Sequence, residues 1–311
     1  MKKDERTGKS KLRAKYERSD FPGGFVQGKY AKCLRGSSNR VLLKPEVAQA
    51  VEPKEKEPSS AGYGRVLIGT SGWMYKHWAD GVFYPPRLRP NLWLPYYAER
   101  FGTVEINATF YRLPNEAAVA HWAAVAPKGF VYAVKCWRWA THMHKLQAAA
   151  VADAKTFCFR IGPMWRSLGP VLVQLPPSTK VDLERLEDFL RGLPKKVGRT
   201  RLRVALEVRH ESWLTDATRS LLDAHRASLV LHDWRVPTTQ TNERSPFVYI
   251  RRHGLPQYSG NYSQEQLQAD AETIRGFVRD GRDVYVFFNN DARGYAVQNA
   301  RRLMELTGTT V

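Results

Sequence analysis

From Arg65 onward the chain repeats one pattern: a short β-rich segment, then a stretch long enough for a helix. Eight β-rich segments recur: VLIGTSGW (66–73), TVEINATFY (103–111), FVYAVKCW (130–137), VLVQLPP (171–177), RVALEVRH (203–210), SLVLHDW (228–234), FVYIRRH (247–253) and DVYVFFNND (283–291). Between them, NEAAVAHWAAVA (115–126) and VDLERLEDFLRGL (181–193) carry helical apolar spacing, with Asn115 and Asp182 placed as N-caps. SQEQLQADAETIRGFVRDG opens on Ser263 as a cap and ends near Gly281, and YAVQNARRLMELTG supplies a closing helix. Strands alternating with helices are joined by right-handed crossovers into a parallel sheet. Eight such units in about 245 residues predict a (β/α)8 TIM barrel. The rival, an open doubly wound sheet, carries a phosphate-binding glycine fingerprint after its first strand, a spacing that IGTSGW lacks.

Residues 1–64 have a different character. They are rich in Lys, Arg, Ser, Gly and Pro, and PEVAQAVEPKEKEPSSAGYG reads as a linker. The expected organisation is a mostly disordered basic arm over 1–64, followed by a barrel domain over 65–311. The arm's 15 basic and 8 acidic residues give it a net charge of +7. The whole chain carries +19, which predicts attraction to nucleic acid or to phosphorylated small molecules. No apolar run is long enough to span a membrane, so no membrane partner is expected. The N-terminus is too polar for a secretory signal. Cys33, Cys136 and Cys158 form no disulfide or metal framework, and reduced thiols in a cytoplasmic protein are the simplest reading. The sequence leaves cofactors and oligomeric state open.

In barrels of this type, functional groups gather at the C-terminal ends of the strands. Alternation in TVEINATFY puts Val104, Ile106 and Ala108 on one face, with Glu105, Asn107 and Thr109 on the other, toward the barrel interior. Polar groups there are costly unless paired or used. Lys135 is in phase with Val131 and Ala133, Gln174 ends the fourth segment, and Glu207 and Arg209 end the fifth. Arg251 and His253 follow in the seventh, then Asn289, Asn290 and Asp291 in the eighth. Glu105, Lys135, Glu207, Asp291 and His253 are the candidate acids, bases and charge stabilisers. Asn107, Tyr111, His142, Gln174, Arg209, Arg251, Asn289 and Asn290 are the candidate substrate contacts, the two arginines suiting bidentate capture of carboxylate or phosphate. Gly254 and Gly294, after the last two strands, would let backbone amides approach an anion. Each charged residue could equally stitch the mouth together, as Glu105 with Lys135 or Glu207 with Arg209. Trp73, Tyr75, Trp78, Trp137, Trp139 and Trp213 are among the aromatics near this rim, suited either to stacking or to packing. His142 and His144 form an H-x-H pair without accompanying ligands, so no metal is assigned. There is no P-loop and no G-x-S-x-G elbow.

IGTSGW (68–73), WADGVFYP (78–85), YAERFGTVEINATFYRLP (97–114), GFVYAVKCWRWATHMHKL (129–146), LGPVLVQLPPS (168–178), EVRHESW (207–213), FVYIRRHG (247–254) and FNNDARGYAVQNARRL (287–302) together resemble the YecE-like family, number seventy-two among domains of unknown function. The resemblance implies a TIM barrel. It also implies that Glu105, Asn107, Thr109, Tyr111, Lys135, Thr141, His142, Gln174, Glu207, Arg209, His210, His253, Asn289, Asn290 and Asp291 fill the family's usual pattern. Tyr295 departs from it, standing where members often carry His. The resemblance implies no reaction. The reading that joins it to the residues is an enzyme acting on a phosphate-bearing substrate, nucleic acid or a nucleotide derivative, at the strand ends. The alternatives are a noncatalytic nucleic-acid binder and a glycosidase-like hydrolase using Glu105 and Glu207.

Overall fold

The computed structural model describes residues 62–311; the basic arm expected over 1–64 lies almost wholly outside them. Eight strands follow one another: β1 Val66–Thr70, β2 Thr103–Ile106, β3 Val131–Lys135, β4 Leu168–Gln174, β5 Val204–Glu207, β6 in two pieces (Ser228–Leu229 and Leu231–His232), β7 Phe247–Arg252 and β8 Asp283–Phe288. All pair in parallel, in the order β2-β3-β4-β5-β6 and β6-β7-β8-β1. The first piece of β6 pairs with β5 and the second with β7, while Val230 between them donates its N–H to the Leu206 carbonyl at 2.9 Å. One interrupted strand therefore splices the two ladders together. The order is that expected of an eight-stranded barrel, with a single seam between β1 and β2.

Two cores show which face of each strand looks inward. Leu67, Ala133, Leu172, Ala205, Val230, Phe247, Tyr249, Tyr285 and Phe287 form a cluster of their own, made of every second residue of the strands. This is the packed interior of the ring, where alanines from β3 and β5 leave room for the rings from β7 and β8. The alternate residues, such as Ile68, Val104, Val134, Leu206 and Val286, pack outward against the helices.

The helices are α1 Trp93–Ala98, α2 Ala108–Tyr111, α3 Glu116–Val125, α4 Ala148–Arg160, α5 Leu183–Gly192, α6 Asp216–Ala224, α7 Gln264–Arg279 and α8 Tyr295–Thr307. Asn115 and Asp182 cap α3 and α5 as expected, and Ser263 forms a full capping box with Gln266 on α7. The connection from β6 to β7 carries no helix. Pro237 and Pro246 break its run, and the buried Asn242 holds it by accepting from Leu229 N at 2.8 Å and donating to Ala227 O at 2.9 Å.

The segment 103–111 corrects the expectation of one long strand. β2 stops at Ile106, and Asn107 turns at φ −85°, ψ −23° into α2. Thr109 donates its hydroxyl to the Lys135 carbonyl at 2.7 Å, which satisfies the end of β3. Asn107 and Thr109 therefore leave the alternation that places Glu105 in the interior.

At the seam a phenol replaces the missing ladder. The buried Tyr97 hydroxyl accepts from Thr70 N at 2.9 Å and donates to Thr103 O at 3.1 Å. A Cβ at Gly69 would stand 2.1 Å from that same Thr103 oxygen, so only glycine lets β1 and β2 approach. Tyr97→Phe would leave a buried donor and a buried acceptor without partners. We expect it to cost about 1–3 kcal/mol in chemical denaturation, with an unchanged denaturant slope.

Candidate active site at the carboxyl ends of the strands

Period-two alternation on β7 sends Tyr249, Arg251 and then His253 inward, above Phe247. Arg251 is the hub. Its Nε and Nη2 donate to Glu105 Oε2 and Oε1 at 3.0 and 2.8 Å, a bidentate pair reached across the ring from β2. Its Nη1 donates to Glu207 Oε2 at 2.8 Å. Tyr249 adds a third donor to Glu105 at 2.6 Å. Glu105 and Glu207 are wholly buried, and Arg251 is 2% exposed. Burial alone would raise the Glu207 pKa, but the guanidiniums of Arg209 and Arg251 outweigh it and hold the carboxyl well below its usual range.

Arg209 forms the second layer. Its Nη2 pairs with Glu207 Oε1 and donates to His253 Nε2 at 3.0 Å, and the guanidinium lies 4.1 Å from the centre of the Trp234 ring. Its Nε and Nη1 are buried and make no hydrogen bond within the described residues. His253 Nε2 also accepts from Arg251 Nη1 at 3.2 Å, while its Nδ1 faces Asp233 Oδ1 at 3.3 Å. That fixes a neutral tautomer protonated on Nδ1. Burial, with Arg251 beside it, pulls the His253 pKa down to about 4 despite Asp233. Asp233 also receives the Tyr262 hydroxyl and the His253 backbone N–H. These bonds outweigh its burial and hold it below the normal range.

Lys135 closes the set. No carboxylate lies within 4.0 Å of its ammonium among the described residues, and Nζ sits 4.3 Å from the centre of the Phe110 ring. Burial, then Arg251, lowers its pKa to about 8, only partly opposed by Glu207 and Glu105. His142 lies nearby on a π-helical turn, Trp139–Met143, with its ring against Phe110 at 4.7 Å. Burial and the Lys135 charge pull it down to about 4. Arg209, Arg251 and Lys135 face Glu105 and Glu207, with the ionised Asp233 behind His253.

The structure thus brings together Glu105, Glu207, Arg209, Arg251, His253, Lys135 and His142. Gln174 stands in register with Glu207. Other expected contacts fall elsewhere. Asp291 pairs with His77 at 3.5 Å, outside the Arg251 network, and burial raises its pKa. Asn290 is a fully buried structural amide, donating to Gly260 O and Asn299 Oδ1. Asn289 is partly buried, its N–H spent on Arg252 O, and Tyr111 is 70% exposed on α2. The glycine amides expected to receive an anion are taken as well: Gly254 N donates to the Tyr262 hydroxyl and Gly294 N to Asp291 O. Trp78 and Trp213 are core residues, 0% and 1% exposed. Tyr249 was missed; it shares its face with Arg251, so the period of two could have found it.

A cleft of ≈ 480 Å³ is lined by Trp73, Tyr75, Leu94, Ile106, Asn107 and Trp122, with none of the charged cluster on its wall. Burial raises the pKa of Tyr75 on its wall, with help from Asp291 and Glu105. Asn107 donates to Ser71 O at 3.3 Å, while Asn107 Oδ1 and Ser71 Oγ are buried without partners. The arrangement pairs a mostly apolar wall with a few convergent polar atoms, as ligand sites do.

Comparison with known proteins places this geometry in context. Residues 67–311 match the family described as "Protein of unknown function DUF72". The UPF0759 protein YunF of Bacillus subtilis (strain 168) is 25% identical over 272 residues, which are 78% of this chain and 94% of that protein. The crystal structure of a DUF72 family protein from Thermotoga maritima MSB8 superposes with a TM-score of 0.67 at 28% identity, covering 78% of this chain and 99% of that one. A DUF72 family protein from Enterococcus faecalis V583 gives 0.66 at 18% identity, covering 79% and 96%, and shares the fold.

Proposed function

The chain belongs to the DUF72 family of proteins of unknown function, and from its site we propose that it is an enzyme acting on a phosphate-bearing substrate, a nucleotide derivative, at the carboxyl ends of its strands. The observation that carries this reading is the set of cationic donors without partners at the mouth. Among the described residues Lys135 has no carboxylate within 4.0 Å, and Arg209 keeps two buried donors unspent. A partly buried cation without a carboxylate at contact distance is costly. An anionic group between Lys135 and Arg209 would repay that cost and use donors already oriented.

The roles divide accordingly. Arg251, saturated by both glutamates, does not capture substrate; it fixes Glu105 and Glu207. Arg209 binds the anion while Glu207, His253 and Trp234 hold it in place. Lys135, with its pKa near 8, combines charge stabilisation with the ability to exchange a proton close to neutrality. The aromatic cleft beside Asn107 seats the rest of the substrate, its ring-lined wall and buried amide oxygen suiting a heterocyclic base.

The glycosidase alternative needs one carboxyl held protonated as an acid. Glu105 already accepts three donors and Glu207 is held ionised, so the pair does not serve that role. A purely surface binder gains nothing from an enclosed, costly charge network.

The test is a turnover screen of nucleotides, sugar phosphates and their unphosphorylated counterparts on the wild type, Arg209→Gln and Lys135→Met. We expect a phosphorylated compound to be turned over. Arg209→Gln should lose about 10–100-fold in kcat/KM, the worth of one charged hydrogen-bond set. Equal turnover of the unphosphorylated counterpart would rule the reading out.

A further inference from the structure

A second concentration of positive charge lies at the opposite end of the barrel, where the strands begin. A cavity of ≈ 310 Å³ there is lined by Arg65, Arg166, Arg201 and Arg203, together with Tyr285 and Thr200. Among the described residues one carboxylate answers these four guanidiniums: Asp283, which meets Arg65 at 3.3 Å and Arg203 at 2.9 Å. Arg166 and Arg201 are exposed and make no ion pair within the described residues.

The surroundings extend the charge and fix it in place. A two-stranded antiparallel hairpin, Lys196–Val197 with Thr200–Arg201, juts from the chain between α5 and β5, with Lys196 opposite Arg201. Lys195, Lys196 and Arg199 on it are all exposed. Trp165 anchors the hairpin. Its carbonyl accepts the Thr200 hydroxyl at 2.5 Å, and the Arg166 and Arg199 guanidiniums lie 5.0 and 5.7 Å from its ring centre. At Gly198, φ +57°, a Cβ would come within 2.6 Å of the Trp165 Cβ, so the turn lies directly on the indole. A rigid hairpin spends little ordering entropy when its cations engage a partner.

We infer that this end of the barrel is a docking surface for the phosphodiester backbone of a nucleic acid. The number of unpaired cations exceeds what one phosphate group needs, and they run outward from the cavity along the hairpin. Like charges held this close repel one another, a cost that a polyanion removes. Arg203 precedes β5 and Arg209 follows it, which separates this surface from the candidate active site by about 20 Å of strand. The surface therefore binds independently of chemistry at the mouth.

The test is binding of a labelled single-stranded oligonucleotide to the full chain between about 50 and 200 mM salt. The variant Arg166→Gln/Lys196→Gln/Arg201→Gln is compared with Lys76→Gln/Lys180→Gln/Arg301→Gln, which removes equal charge from exposed positions elsewhere. Losing three contacts should flatten the slope of log affinity against log salt by about 2, and weaken binding about 100-fold near 0.1 M salt. The control should keep the wild-type slope. The inference is overturned if the two variants behave alike. It is also overturned if the hairpin variant loses only inorganic phosphate and still holds the oligonucleotide. Both readouts are of binding, so they stand apart from any failure of the proposed activity.

Discussion

Arg251→Met is expected to cost more stability than any other single substitution at the mouth. The side chain neutralises two carboxylates that have no water to turn to. Removing one partner of a buried ion pair costs about 3–5 kcal/mol, and here Glu105 loses its cation while Glu207 keeps Arg209. For a domain of this size that means a fall in Tm of roughly 6–20 °C. The sign of a second substitution separates charge from packing. Glu105→Gln destabilises the wild type, because it weakens a bidentate pair. In the Arg251→Met background the same change removes an orphaned charge and restores stability, so the double-mutant cycle changes sign. Without Arg251 the Glu207 carboxyl loses one of the two guanidiniums that hold its pKa down, so protonation favours the folded variant and its deficit narrows as the pH falls. Chemical denaturation of the four proteins at neutral and mildly acidic pH measures all of this. A deficit independent of pH and untouched by Glu105→Gln would mean that Arg251 acts only by filling space.

Lys135→Met is expected to do the opposite and stabilise the protein. In the fold the lysine titrates near 8, below the value of about 10.4 for an exposed side chain. Between those values the unfolded chain holds a proton that the folded chain has released, so stability rises with pH across that window. Below pH 8 both states are protonated and the wild type bears the full penalty, on the order of 3 kcal/mol. Methionine removes it and leaves two glutamates balanced by two arginines. The variant should therefore melt higher at pH 7, lose the pH-dependent rise between about 8 and 10.4, and show no turnover. A lower melting temperature at neutral pH would contradict the assignment of Lys135 as a cation without a carboxylate at contact distance.

Much of the fold is written locally. Seven of the eight β-rich segments contain their strand, β4 starting three residues ahead of its segment at Leu168, and the caps at Asn115, Asp182 and Ser263 lie where polar residues precede apolar helical runs. The resemblance read from the motifs names the same family that matches residues 67–311. TVEINATFY misled because alternation continues past Ile106 while the chain does not: Asn107 and Thr109 serve a helical turn that ties off β3.

The site was legible as a set of positions and illegible as a set of partners. Arg251 meets Glu105 146 residues away, and no local pattern says that its donors will be spent on carboxylates rather than left for substrate. The amides of Gly254 and Gly294 likewise have the freedom a phosphate loop needs, yet neighbours consume them. Lys135 gains its character through what is missing around it, and only the assembled ring reveals that.

The central claim is that Lys135 and Arg209 wait for an anion. The most direct measurement is the titration of the Lys135 side chain by NMR of isotope-labelled lysine, with Lys135→Met for assignment. It is made first on the free protein, then on protein saturated with a nucleoside monophosphate or with the phosphorylated compound that the turnover screen identifies. The account requires a midpoint near 8 in the free protein and a clear upward shift when the phosphate binds, because an anion beside the ammonium favours its charged form. A midpoint near that of exposed lysine, or one that does not move on binding, would contradict it.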